Sequence, residues 1–225
     1  MKPGRYYADK LSGERLDLCY QIAPPRVQQY LNAEIKHCLS LIGSKDRVLE
    51  IGCGYGRVLH RIAEVTKHAV GIDNSAENLR YGRYRFHLLE RMAFNLMEAE
   101  DLAFEDSQFD VTLCIQNGLS AIKGNTIKIV EECLRVTKPG GRCLFSSYTD
   151  EFWPDRLEWF QMQAEEKCVG KIIQGLTGNG VIVCEDGFRA TTMGRADYLE
   201  IAMTLNTDAV FTVVDGSSLF CKIRK

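Results

Sequence analysis

Gly52, Gly54 and Gly56 alternate in the stretch VLEIGCGYGRVL, residues 48–59, directly after an apolar run that carries Glu50. Glycine lacks a Cβ and tolerates positive φ, so this loop lets a ligand approach bare backbone. A dinucleotide fingerprint requires G-x-G-x-x-G/A, and Arg57 stands where its third small residue belongs. A phosphate loop requires Gly-Lys-Ser/Thr after its glycines, which is absent. Asp73 ends the next apolar run, where a carboxylate can accept from both hydroxyls of a free ribose. Glu98-Ala99 follows a third run. A side-chain acceptor beside a backbone amide can read the amino edge of adenine.

These residues need a scaffold that brings strand ends together. Pro24-Pro25 opens a run with Val27, Leu31, Ile35, Cys38, Leu39 and Ile42 on one helical face, with Gly43 as a stop. Val48–Ile51 reads as a buried strand, Arg57–Thr66 as a helix and Ala69–Ile72 as a second strand. Asn74 and Glu77 form a capping-box pattern for a helix running to Arg91. Phe94–Met97 and Val111–Gln116 are the next strands; the spacing predicts a helix over Thr126–Val136, a sharp turn at 138–141 and a strand over Arg142–Tyr148. This rhythm argues for a parallel sheet with helices on both faces.

After residue 150 the rhythm breaks. Glu151–Cys168 reads as a helix with Pro154 in its first turn, Asp186-Gly187 as a hairpin turn and Ala196–Leu205 as a helix. Ala209–Asp215 and Ser218–Arg224 read as a closing antiparallel hairpin. The expected fold is α/β, a doubly wound, mostly parallel seven-stranded sheet ending in that hairpin. One domain is expected over 1–225: an arm or lid at 1–23, a core at 24–148, and a substrate cover with the last strands at 149–225.

VLEIGCGYG, GIDNS (71–75), EAEDLAFEDSQFDVTLC (98–114) and LRVTKPGGRCLFSSY (134–148) resemble, in order, four motifs of the class I S-adenosylmethionine-dependent methyltransferases. The resemblance covers roughly residues 25–148. It implies that Glu50, Gly52, Gly54 and Gly56 line the methionine and ribose part of the cofactor, with Cys53 inside the same loop. It implies that Asp73 holds the ribose hydroxyls, that Asn74, Glu98 and Ala99 lie at the adenine, and that Gln116 faces the methionyl end or the acceptor. Glu98 replaces the Asp usual in the family. The implied cofactor is S-adenosyl-L-methionine, with S-adenosyl-L-homocysteine as product. Its methyl is already activated, so a general base is needed only if the acceptor arrives protonated; the catalytic residue is left unassigned.

For the acceptor side, Tyr6 and Tyr7 in the arm, Tyr148 after the fifth strand and Trp153 after it are candidates, with Tyr20, Phe152 and Trp159 as further lid aromatics. Asn117 reads equally as an acceptor-orienting residue and as a turn residue. The family's amino-group enzymes carry an Asn/Asp-Pro-Pro-aromatic sequence there; this chain has Gln-Asn-Gly-Leu-Ser. Arg80, Arg83, Arg85 and Arg91 read as a solvated helix face.

The balance of 28 basic and 30 acidic residues gives a net charge of −2, without the basic excess typical of nucleic-acid binders. The nine cysteines include no CxxC pair, and the four histidines lack metal-ligand spacing. A reducing, cytoplasmic setting, buried thiols and no metal are expected. No run approaches the ~20 apolar residues of a membrane span. The expected activity is methyl transfer to a small molecule, with no nucleic-acid or membrane partner and no oligomeric state specified. The alternatives are a protein or RNA methyltransferase and a non-catalytic cofactor-binding protein.

Overall fold

Val48 packs toward one layer of helices and Leu49 toward another, because successive strand residues point to opposite faces. The computed structural model describes residues 6–87 and 91–225. Its sheet has seven strands: β1 (Arg47–Ile51), β2 (His68–Asp73), β3 (Met92–Leu96), β4 (Phe109–Cys114), β5 (Thr137–Tyr148), β8 (Ala209–Val214) and β9 (Ser218–Arg224), in the order β3-β2-β1-β4-β5-β9-β8. The first five pair in parallel; β9 runs antiparallel to both β5 and β8. On one face, α3 (Pro25–Ser40) and α4 (Leu59–Val65) bury Ile35, Cys38, Leu59 and Ile62. On the other, α7 (Thr126–Val136) and α9 (Arg195–Thr204) bury Ile129, Val130, Cys133 and Ile201. The doubly wound sheet and its closing hairpin are as the periodicity requires.

Over the carboxyl ends of the strands lies a second layer. It consists of α1 (Tyr6–Asp9), α2 (Glu14–Gln21), α8 (Trp153–Glu165) and a separate hairpin of β6 (Ile182–Val183) and β7 (Arg189–Ala190). Leu11, Leu16, Cys19, Phe160, Cys168, Ile182 and Phe188 form its core, which closes on Tyr55 of the glycine loop. The arm expected at 1–23 forms α1 and α2 and packs into this core; its residues 1–5 lie outside the described residues.

Three local expectations are corrected. Ser75, not Asn74, caps α5 (Ala76–Arg85), its Oγ accepting from the Asn78 amide at 3.2 Å. Glu77 pairs instead with Arg80 at 2.7 Å. That helix ends at Arg85 rather than Arg91, since β3 must begin at Met92 to pair with β2; residues 88–90 lie outside the described residues. The turn expected at 138–141 is absorbed into β5 as a bulge, with Thr137 opposite Phe109 but Arg142 opposite Val111. All nine cysteines are buried and unpaired, as expected of packing thiols.

Candidate functional site

The loop after β1 crosses under the second layer and forms the floor of a cavity of about 410 Å³, a size suited to a small organic ligand. Gly54 has φ +56°, and its amide donates to Asp73 Oδ2 at 2.9 Å, so the loop is folded back onto the end of β2. Asp73 Oδ1 accepts from the Ser75 amide at 2.8 Å and from Asn78 Nδ2 at 3.2 Å. Three donors therefore fix the orientation of this carboxylate. Asn78 is itself tied to the arm, its Oδ1 accepting from the Gly13 amide at 2.8 Å.

Glu50, Gly52, Cys53, Gly54, Asp73, Asn74, Glu98, Ala99 and Gln116 all line the cavity. Gly56 does not. A Cβ there would lie 2.6 Å from Phe94, so this glycine serves close packing of the loop on β3. The Cys53 thiol packs against Gly71, where a Cβ would lie 2.7 Å from its Sγ, and burial raises its pKa far above the ordinary thiol value. Asn74 Nδ2 donates to Glu98 Oε2 at 3.0 Å, bridging the ends of β2 and β3.

At the inner end, polar groups converge without full satisfaction. Arg57 donates to Gln116 Oε1 and lies 4.2 Å over the ring of Tyr20. Glu50 Oε2, Arg57 Nε and Gln116 Nε2 are buried and have no partner. Burial pushes the Glu50 carboxyl up to about 8, against the lowering effect of Arg57 and with a further rise from Asp73. Unsatisfied buried donors and acceptors are costly, and their convergence in one cavity marks where a ligand's polar end belongs. Gln116 and Asn117 hold consecutive left-handed φ values of 58° and 60°, a strained corner at the end of β4.

The acceptor candidates divide. Tyr7 and Tyr148 line the cavity. Tyr6 does not; its hydroxyl donates to Asp186 beside the β6–β7 hairpin. Asn117 is buried behind the wall, accepting from Ser147 Oγ and donating to the Thr191 carbonyl, both at 2.8 Å. Trp153 also lies outside the lining, and Trp159, one turn and a half further along α8, takes the wall position. Its indole N–H donates to the Cys19 carbonyl at 2.7 Å, linking α8 to α2. Residue-by-residue reading missed Arg57, Asn78 and Lys123 as lining groups. A usable signal did exist in α8: Arg156, Trp159, Phe160 and Gln163 recur at i, i+3, i+4 and i+7 and are all buried.

Residues 48–141 match a family model described as a methyltransferase domain. That segment resembles the class I S-adenosylmethionine-dependent methyltransferases. The chain is 32% identical over 107 residues to a demethylmenaquinone methyltransferase of Clavibacter sepedonicus, covering 46% of this chain and 42% of that protein. It is 30% identical over 141 residues to a ubiquinone biosynthesis O-methyltransferase of Aliivibrio fischeri strain MJ11, covering 61% and 56%. The chain thus spans about half the length of the curated relatives it matches. The solved DhpI-SAM-HEP complex superposes with a TM-score of 0.67 at 18% identity, covering 100% of both chains, and shares the fold. The family's cofactor, S-adenosylmethionine, fits the donor set of this cavity: a carboxylate at the β2 end, a bare glycine floor and unsatisfied polar groups at the inner end. No described helix is long and apolar enough to cross a membrane.

Proposed function

We propose that this chain is an S-adenosylmethionine-dependent methyltransferase acting on a small-molecule acceptor. The observation that carries the reading is the convergence of Glu50 Oε2, Arg57 Nε and Gln116 Nε2, all unpartnered, above the glycine loop. Such a set complements a group bearing both ammonium and carboxylate, as the methionyl end of the cofactor does. Asp73, held by three protein donors, presents its remaining acceptor capacity to ribose hydroxyls. Asn74, Glu98 and Ala99 form the adenine end.

When bound, S-adenosylmethionine supplies an activated sulfonium methyl. The protein's part is alignment and exclusion of water. Tyr7, Tyr20, Tyr148, Trp159 and Phe160 form the wall that excludes water beyond the inner end. Burial pushes the Tyr148 hydroxyl up to about 12, so it stays protonated and donates or accepts hydrogen bonds as a neutral group. The acidic net charge and the cavity's enclosure under α2 and α8 support a small acceptor over RNA or a protein. The two methyltransferases cited above, named for quinone biosynthesis, are consistent with that class.

The test is methyl-label transfer from S-adenosylmethionine into separated small-molecule, RNA and protein fractions. Label is expected in the small-molecule fraction. Label confined to RNA or protein would overturn the acceptor class, and cofactor binding without transfer to any fraction would favour a non-catalytic binding protein.

A further inference from the structure

Arg156 on α8 is 1% exposed, yet it forms no ion pair among the described residues. Its guanidinium donates only to neutral oxygens: the Gly180 carbonyl at 2.9 Å, Thr192 Oγ1 at 2.5 Å and, weakly, the Thr191 carbonyl at 3.4 Å. Its Nε has no partner. The group lies 4.5 Å over the ring of Tyr148 and 5.7 Å from that of Phe160, two residues that line the cavity. A buried charge without a counter-charge is expensive, and removing the expense requires an anion.

Two more cations stand near it. Lys123 lines the cavity just past α6 (Gly118–Ala121), and its ammonium donates only to the Ser120 carbonyl at 2.8 Å. Arg189 is exposed on β7 and likewise has no ion pair among the described residues. Burial lowers the Lys123 pKa, and the charges of Arg189 and Arg156 lower it further with no opposing carboxylate. Two of the lining carboxylates are engaged elsewhere: Glu98 accepts from Asn74 Nδ2, and Glu100 accepts from the Asn125 amide.

From Arg156, Lys123 and Arg189 we infer that the methyl acceptor carries an oxyanion, bound on the α8 and β7 side of the cavity. The inference rests on the methyl-transfer reading above and specifies its substrate class. The exposed Lys123 and Arg189 draw the oxyanion to the mouth, and the buried Arg156 compensates it electrostatically through the Tyr148–Phe160 wall. The methyl-accepting atom then faces the inner end. An uncharged acceptor would leave all three cations without a counter-charge.

The probe is a small-molecule extract freed of protein and nucleic acid, split on an anion-exchange column at mildly alkaline pH. Both fractions are offered to the full chain with methyl-labelled S-adenosylmethionine. Transfer is expected to the retained, anionic fraction. Transfer only to the flow-through would overturn the oxyanion while leaving methyl transfer intact. Transfer to neither, with cofactor binding confirmed by calorimetry, would overturn the methyl-transfer reading itself. Phosphatase treatment of the retained fraction separates the sources: loss of acceptor activity assigns a phosphate monoester, and survival assigns a carboxylate or phosphonate. With the active fraction in hand, the double variant Lys123→Gln/Arg189→Gln is expected to raise the acceptor KM about tenfold while cofactor affinity stays near that of the unmodified chain. Both residues are exposed, so the fold tolerates the change, and an unaltered KM would overturn the inference.

Discussion

The floor of the cavity is built from turns at the ends of neighbouring parallel strands, and its roof from helices α1 and α2 together with α8, which is far from them in the chain. The floor presents the glycine loop, Ala99 and one carboxylate fixed by three donors. The roof presents side chains, among them Tyr7, Tyr20, Trp159 and Phe160. Backbone can approach a ligand that never changes, as a shared cofactor does not. Side chains can be exchanged to suit an acceptor without disturbing the sheet.

That contrast can be broken most directly at Trp159. Trp159→Ala removes a buried indole that joins α8 to α2, with an expected loss of about 3–5 kcal/mol of stability in denaturant unfolding and a smaller effect on S-adenosylmethionine affinity in protein that remains folded. If cofactor affinity fell while stability held, roof and floor would be doing the same task. At the floor, Asp73→Ala is expected to weaken S-adenosylmethionine about 100-fold by calorimetry with native circular dichroism; equal affinity would remove Asp73 from the ribose assignment.

A further test separates both walls from the sheet beneath them. Glu34 on α3 is fully buried; its Oε1 accepts from Ser218 Oγ, its Oε2 has no partner, and burial pushes its carboxyl up to about 7. The folded state therefore holds this proton after the unfolded chain has released it. Stability from this group is expected to fall as pH rises from about 4.5 to about 7 and to level off above. Glu34→Gln should flatten that slope and raise unfolding stability at alkaline pH by about 3 kcal/mol at most; an unchanged slope would assign the pH dependence elsewhere. The smallest expected effect is at Tyr6, whose hydroxyl bonds Asp186 outside the cavity lining. Tyr6→Phe should shift stability by about 1 kcal/mol and leave cofactor affinity within about twofold; a larger change in affinity would return Tyr6 to the site.

The two walls were also unequally legible. Val48–Ile51 and Ala69–Ile72 announce buried strands, and the glycines and Asp73 at their ends follow from the position that a parallel sheet gives its ligands. Arg57 was visible only as a misfit to the dinucleotide pattern, because its role depends on Gln116 and Tyr20 arriving from other elements. Asn117 and Trp153 are plausible by neighbourhood alone, but the left-handed corner at 116–117 turns Asn117 into the wall, where Thr191 and Ser147 hold it. Gly56 belongs to the motif, yet its contact is with Phe94 across the fold, a tertiary fact that loop spacing does not encode.

Asp17 sits where roof and floor meet. This buried carboxylate accepts from Tyr55 of the glycine loop at 2.7 Å, from Tyr81 of α5 at 2.8 Å and from Gln21 at 2.8 Å, with Arg85 at 3.7 Å. Gln21 belongs to α2 itself, so lifting α2 to open that side breaks the contacts with Tyr55, Tyr81 and Arg85 together. Opening on that side is thus a single cooperative step, because one side chain joins α2 to the glycine loop and to α5 at once.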